Sequence, residues 1–248
     1  MPIITLLTDF GTADGYVAEM KGVLSTAAPG ATIMDLSHDI PPQDVEAGRM
    51  ALARYWRRFP AGTVHLAVVD PGVGTERAAI AVASGGQFLV GPDNGVLSPA
   101  LFAMDAEAVA LPIPANAAET FHGRDVFAPA AALLANGSSI YTIGEPWPNP
   151  VRRRTPEAHR RADGGIVGEV LTIDRFGNAL TNLVTRTGGV VLAANRQIEI
   201  VRTYGDVDSG ETLAVVGSSG FVELAVRNGH AANQLQLRRG SVVVLFKA

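Results

Sequence analysis

Short apolar runs and helical periodicities alternate through the first half of the chain, and strand-like runs alone follow in the second. Ile3–Thr8 is a continuous, β-branched apolar stretch of the kind buried on both faces of a sheet. It stops at Thr8-Asp9-Phe10-Gly11, and Gly15–Ala28 follows with helical spacing, closed by Pro29-Gly30. Ala31–Ser37 predicts a second strand, Pro41–Phe59 a second helix bounded by Pro41-Pro42 and Pro60, and Thr63–Val69 a third strand. This β-α-β-α-β order predicts a parallel sheet with helices on its faces. Ala78–Ala83 and Gln87–Val90 follow as two strands turning through Gly85-Gly86, then a short strand at Ala108–Leu111 and a helix at Arg124–Leu134.

Beyond Ile140 the pattern changes. Ile140–Gly165 holds four prolines and the basic run Arg152–Arg154 with little apolar periodicity, which predicts a linker. Ile166–Ile173, Gln197–Val201, Thr212–Val216, Phe221–Val226 and Ser241–Phe246 then have the period of strands, with no helical segment between them. The expected fold is therefore α/β: an N-terminal α/β domain over residues 1–145 with a mainly parallel sheet flanked by helices, a linker at 146–165, and a C-terminal all-β barrel domain over 166–248.

Composition narrows the classes. A chain of 248 residues, 47% hydrophobic and 18% charged, can bury a sizeable core. Its net charge of −4 argues against a nucleic-acid surface, which needs clustered Lys and Arg. There is no cysteine, so disulfides, thiolate nucleophiles and Cys-ligated metal sites are excluded. MPIITLLTDFG has no basic leader region, and no apolar run reaches membrane-spanning length, so a soluble, cytoplasmic protein is expected. Phosphate-loop, dinucleotide-loop, serine-elbow and zinc-protease motifs are all missing.

The candidate chemistry lies in the turns. VVDPGVGTER, Val68–Arg77, places Asp70 at the end of an apolar run, folds through Pro71-Gly72 and returns a guanidinium at Arg77. Taken alone, this is better explained by a solvated ion pair, and the stretch gains weight only from what lies around it. Asp9 and Asp14 follow the first strand, where a carboxylate can accept from ribose hydroxyls or cap the next helix; spacing leaves both readings open. His122, within Thr120–Asp125, is an imidazole expected to be exposed at a loop tip; a lone His, one of five here, is usually structural or solvated, yet it is the side chain best poised for proton transfer near neutral pH. Asp174, Phe176 and Asn178, with the turns Gly217–Gly220 and Arg227–Gly229, could be ordinary β-turns or together a pocket for an ammonium group and a base edge.

TDFG (Thr8–Gly11), HDIPPQDVEAG (His38–Gly48), VVDPGVGTER, GPDNG (Gly91–Gly95), FHGRDVFAP (Phe121–Pro129), IDRFGNALTN (Ile173–Asn182) and GSSGFVELAVRNG (Gly217–Gly229) occur in that order along nearly the whole chain. Together they resemble the S-adenosyl-L-methionine (SAM) hydroxide adenosyltransferases, or SAM hydrolases, relatives of the SAM-dependent fluorinase and chlorinase. The resemblance implies an α/β domain, a β-barrel domain and a homotrimer, with each active site between the amino domain of one subunit and the barrel of its neighbour. It implies that Asp70, Arg77 and His122 are catalytic. It places Asp9 on the ribose hydroxyls, Asp14 and Asp174 at the methionine amino group, Phe176 and Asn178 along the adenine pocket with the backbone near Asn228-Gly229 completing it, and Ser218 near the methionine end, with Phe121 also among the substrate-binding residues. Halogenases carry a Tyr where Asp70 stands, lack the His, and have an Arg where Ser219 stands. The implied reaction is attack of water or hydroxide on C5′ of SAM, giving adenosine and L-methionine, with no metal or other cofactor. A SAM- or adenosine-binding module without turnover, a SAM-dependent halogenase and a structural trimer with a vestigial pocket are the alternatives.

Overall fold

The structure, a computed structural model, describes residues 1–247. The chain divides into two compact units, Met1–Arg153 and the remainder from Arg154.

The first unit is a seven-stranded sheet between two helical layers. Its elements are β1 (Ile3–Thr8), α1 (Tyr16–Ala27), β2 (Thr32–Ser37), α2 (Val45–Tyr55), β3 (Val64–Val68), β4 (Ala79–Ser84), β5 (Gln87–Pro92), α3 (Ser98–Leu101), β6 (Glu107–Ala110), α4 (Ala128–Ala135), α5 (Ile140–Ile143) and β7 (Glu145–Pro146). The strand order is β2-β1-β3-β5-β4-β6-β7. Pairing is parallel across β2-β1-β3-β5 and antiparallel from β5 through β4 and β6 to β7. The sheet is thus mixed, where a mainly parallel one was expected. The Gly85-Gly86 hairpin forces β4 and β5 to run against each other, and β6 arrives on the free edge of β4 in the same sense.

Strand alternation sorts the core into two faces. Leu6, Leu66, Val68 and Ala81 pack with Met20 and Leu24 of α1 and with α4, whereas Leu7, Ala67, Val69 and Val82 pack with Leu52 of α2, Leu97 and Leu101. The second helix begins at Val45 rather than at Pro41, because the Asp44 carboxylate accepts the Ala47 N–H at 2.9 Å and caps it there. Before α4 the chain makes a π-helical turn, Gly123–Phe127; Pro129, which lacks an N–H, starts the regular helix.

The segment expected as a linker is structured at both ends. Trp147 N–H donates to the Ala108 carbonyl and Val151 N–H to Asp93, so these residues belong to the first unit. β8 (His159–Arg160) pairs with the first long strand of the second unit.

That second unit holds β9 (Ile166–Ile173), β10 (Ala179–Thr181), β11 (Val190–Ala193), β12 (Arg196–Glu199), β13 (Thr212–Val216), β14 (Val222–Val226) and β15 (Val242–Phe246), in the order β12-β11-β15-β9-β10-β14-β13. A bridge from Ile200 to Ala214 joins the two ends of this path, so the sheet nearly closes on itself around Val170, Leu183, Ile198, Leu224 and Val243. One short helix, α6 (Ala231–Gln234), interrupts what the sequence pattern left as strands alone. Among the described residues no helix is long and apolar enough to cross a membrane.

Candidate active site

One residue past the end of β3, Val69 closes the apolar run, and Asp70 is the first polar side chain of the turn. Val73 N–H donates to the Asp70 carbonyl at 3.3 Å, and the Thr75 hydroxyl to the Gly72 carbonyl at 2.7 Å. Gly74 has φ +75°, and a Cβ there would stand 2.5 Å from the Glu119 carbonyl oxygen. Only glycine lets this turn lie against the segment that leads into His122.

The turn folds Arg77 back over Asp70. Nε donates to Oδ1 at 3.0 Å and Nη2 to Oδ2, a two-pronged fork, while Nη2 also donates to His122 Nδ1 at 2.9 Å. The Arg77 and Asp70 side chains are only 9% and 4% exposed, and His122 is buried beside them rather than exposed. Burying such a pair is a poor way to gain stability, since desolvation consumes most of the Coulombic gain. Its other Nη, Nη1, is buried without a hydrogen-bond partner. A buried guanidinium with an unsatisfied donor is a costly arrangement that suits an incoming oxygen.

A guanidinium can only donate, so His122 Nδ1 must accept, which assigns the proton to Nε2 and makes the imidazole neutral. Burial first, and the positive charge of Arg77 second, hold its pKa below the usual histidine value against the opposing charges of Asp70 and Asp125. The π-helical turn that follows is tied down by Asp125, which accepts the Ala118 N–H at 2.9 Å, and by Arg124, which bridges Asp125 and Glu19 of α1.

The end of β1 lies at the same pole. Thr8 Oγ1 bonds His38 Nδ1 at 2.8 Å, Gly11 N–H donates to the His38 carbonyl, and Asp9 Oδ2 accepts the Gln43 N–H at 2.6 Å. The helix-cap alternative for these acids is overturned: Gly15 is the N-cap of α1, with no side-chain hydrogen bond. Asp14 is exposed. Phe10, Tyr16 and Phe121 meet edge to face with ring centres 5.4 to 6.0 Å apart, which joins the TDFG loop to the residue before His122. Asp9, Asp70, Arg77, Phe121 and His122 are thus gathered at the carboxyl ends of β1 and β3, the ligand-binding edge of open α/β sheets.

In the second unit Asp174 holds its own turn: Oδ1 accepts Phe176 N–H at 2.9 Å and Asn178 N–H at 2.8 Å, and Oδ2 accepts Asn178 Nδ2 at 3.0 Å. Phe176 is left 75% exposed, while Asn178 is buried. Gly177, at φ +84°, leaves no room for a Cβ against the His230 ring, and its carbonyl accepts Ala232 N–H at 2.9 Å. Asn228 and Gly229 immediately precede His230 in the chain, and Asn228 Nδ2 donates to Ser209 Oγ at 3.2 Å. Ser218 is exposed on a separate turn, where Gly217 makes room for Glu223.

Glu223 and Tyr204 are additions to the residues singled out from the sequence. Glu223 is buried and accepts from Tyr204 Oη at 3.2 Å; burial, then the charges of Glu223 and Asp174, raise the Tyr204 pKa. The only sequence signal was a single acid inside the apolar run Val222–Val226. Among the described residues no group of three or more His, Asp or Glu side chains is arranged to hold a metal ion.

A three-layer α/β unit with a buried carboxylate, guanidinium and imidazole at its strand ends, in a chain whose other unit is a nearly closed β sheet, defines a two-unit α/β enzyme. The chain belongs to the SAM hydroxide adenosyltransferase family, whose N-terminal domain matches residues 4–144 and whose C-terminal domain matches residues 168–244. The (R)-S-adenosyl-L-methionine hydrolase of Thermus thermophilus is 44% identical over 98% of this chain and 99% of its own. A fluorinase of an Actinoplanes species is more distant, 28% identical over 100% of this chain and 98% of its own. In the crystal structure of an uncharacterized conserved protein from Thermotoga maritima the fold recurs with a TM-score of 0.89 and 33% identity, over 98% of this chain and 100% of that one.

Proposed function

We propose that this chain hydrolyses SAM to adenosine and L-methionine at Asp70, Arg77 and His122. The observation that carries the reading is the buried Arg77, bound to both other residues and with Nη1 still unpartnered. The SAM hydrolases among its relatives give the substrate. The sulfonium makes methionine a leaving group that needs no acid, so catalysis reduces to presenting an oxygen nucleophile in line with C5′. The O–C5′ bond forms as the C5′–S bond breaks, and the bonding pair stays on sulfur. Arg77 stabilises the water-derived anion, Asp70 fixes Arg77, and neutral His122 takes the proton at Nδ1 when Arg77 turns its Nη2 to the oxygen.

In this reading Asp9 accepts from the ribose hydroxyls, Asp14 and Asp174 face the ammonium group, and Phe121, Phe176, Asn178, Asn228 and Gly229 frame the rest of the substrate, with Ser218 at the methionine end. No metal or other cofactor takes part. The second unit of a neighbouring copy completes the pocket in a homotrimer, and a cytoplasmic location suits a chain without cysteine. Incubation with SAM in 18O-labelled water should release methionine and place the label on the 5′ oxygen of adenosine. A single stoichiometric complex without turnover, or a 5′-halogenated product when chloride or fluoride is added, would overturn the reading.

A further inference from the structure

The GPDNG turn after β5 touches the reactive turn through one side chain. Asn94 Nδ2 donates to the carbonyl of Val69, the residue before Asp70, at 2.8 Å, and Asn94 Oδ1 accepts the Val96 N–H at 3.1 Å. β3 has ended at Val68, so this amide anchors the backbone where the sheet ladder has stopped. The residues on either side of Asn94 are held in turn. Asp93 Oδ1 accepts Val151 N–H at 2.7 Å and Oδ2 accepts Trp147 Nε1 at 2.8 Å; Ser98 Oγ accepts Arg153 N–H at 2.8 Å. The glycines of the motif are set by close approaches. A Cβ on Gly91 would overlap the Ala67 carbonyl of β3, and one on Gly95, at φ +99°, would stand 2.5 Å from Arg153 Cδ.

We infer that Asn94 is a positioning residue: its amide fixes the Val69 carbonyl and through it the place of the Asp70 carboxylate under Arg77. This rests on Asp70, Arg77 and His122 being the reactive set. Without the amide, the Val69 carbonyl loses its donor and the turn can drift. A shift of about an ångström at a reacting group costs on the order of a hundredfold in rate, so a partial loss of the anchor gives about tenfold.

Asn94→Asp separates the two roles of the side chain. It keeps an oxygen for Val96 N–H but presents a carboxylate, which cannot donate, to the Val69 carbonyl. On acidification the protonated carboxyl regains a donor, so the ratio of Asn94→Asp to parent kcat should rise as the pH falls from roughly 7 to roughly 4, into the range where an Asp carboxyl takes up its proton. Asp70, Asp93 and Arg153 are the charged groups about this turn; their own titration is common to both proteins, so the ratio reports the introduced carboxyl, whose protonation the two aspartates favour and Arg153 opposes. Asn94→Ser keeps an oxygen for Val96 but is too short to reach Val69, and should be slow at every pH.

The experiment measures kcat across pH for the parent, both variants and Asp70→Asn, with SAM affinity by calorimetry. The expected result is about a tenfold lower kcat for Asn94→Asp near neutrality with unchanged affinity, recovering with acid, and no recovery for Asn94→Ser. Parent-like kcat in Asn94→Asp, a ratio flat with pH, or a loss confined to affinity overturns the inference while an impaired Asp70→Asn leaves the reactive set standing. A fully active Asp70→Asn overturns both.

Discussion

The turn at Asp70–Arg77 and the turn at Asp174–Asn178 use the same ingredients, an aspartate at a strand end and a glycine at positive φ, to opposite ends. In the first, the carboxylate is bound by the Arg77 side chain, the pair is buried, and a charged donor is left unsatisfied. In the second, the carboxylate is taken up by its own backbone, which makes a firm loop and pushes Phe176 into solvent. Burial with side-chain partners concentrates charge where solvent cannot screen it, which suits a reaction. Backbone saturation builds a rigid mount for an exposed ring, which suits recognition of a flat ligand.

The sharpest way to break this contrast is Arg77→Ala. It should lower kcat by about a thousandfold, as loss of an electrostatic donor does. It should also cost about 3–5 kcal/mol of stability, because Asp70 is left buried and unpaired. Steady-state kinetics and urea unfolding together test it; a stable variant with modest loss of rate would make the fork an ordinary surface pair. His122→Ala should come next, with kcat down by about a hundredfold and SAM affinity intact by calorimetry. In the parent, the acid limb of kcat should fall below about pH 6.5, since burial and the Arg77 charge hold the imidazole neutral. The sign for stability is the same. Between the folded pKa and roughly pH 6.5 the unfolded chain binds a proton that the native one does not, so stability declines as pH falls through that window.

Asp9→Ala should act on binding. A carboxylate on ribose hydroxyls serves ground state and transition state alike, so KM should rise about ten- to a hundredfold while kcat changes little. Because Asp9 also accepts the Gln43 N–H, Asp9→Asn is the control that keeps an acceptor for that loop. Equal losses of kcat in both variants would move Asp9 from recognition to positioning of C5′.

How much of this was legible beforehand differs between the two turns. The seven-residue return from Asp70 to Arg77 across Pro71-Gly72 could be read as a facing pair, because turn chemistry is local. The meeting of His122 with Arg77, 45 residues on, depends on how β4, β6 and the π-helical turn stack, which periodicity does not encode. Asn94 was visible only as part of a motif, since it acts on a backbone carbonyl. Among the strands, β10 is three residues long, too short for a period. The β11–β12 hairpin turns through Ala194-Asn195, both at positive φ, without the glycine that announces such turns. The helix onset at Val45 was misplaced because a side-chain cap at Asp44 outranked the prolines before it.

The smallest expected effect separates ring from mount in the second turn. Phe176 is 75% exposed, so Phe176→Ala removes little packing and should leave stability within about 0.5 kcal/mol of the parent. If its ring stacks on the adenine, the variant loses an interaction worth about 1–3 kcal/mol per base, and KM should rise about tenfold with kcat nearly unchanged. Gly177→Ala tests the mount. Its Cβ would drive into the His230 ring from a backbone at φ +84°, so the loop must move, taking Phe176 and Asn178 with it. That variant should lose stability as well as affinity. Thermal unfolding beside SAM titration distinguishes the two. Parent-like affinity in Phe176→Ala would remove the ring from recognition, and a stability loss as large as that of Gly177→Ala would mean that the exposed ring was holding the loop and not merely carried by it.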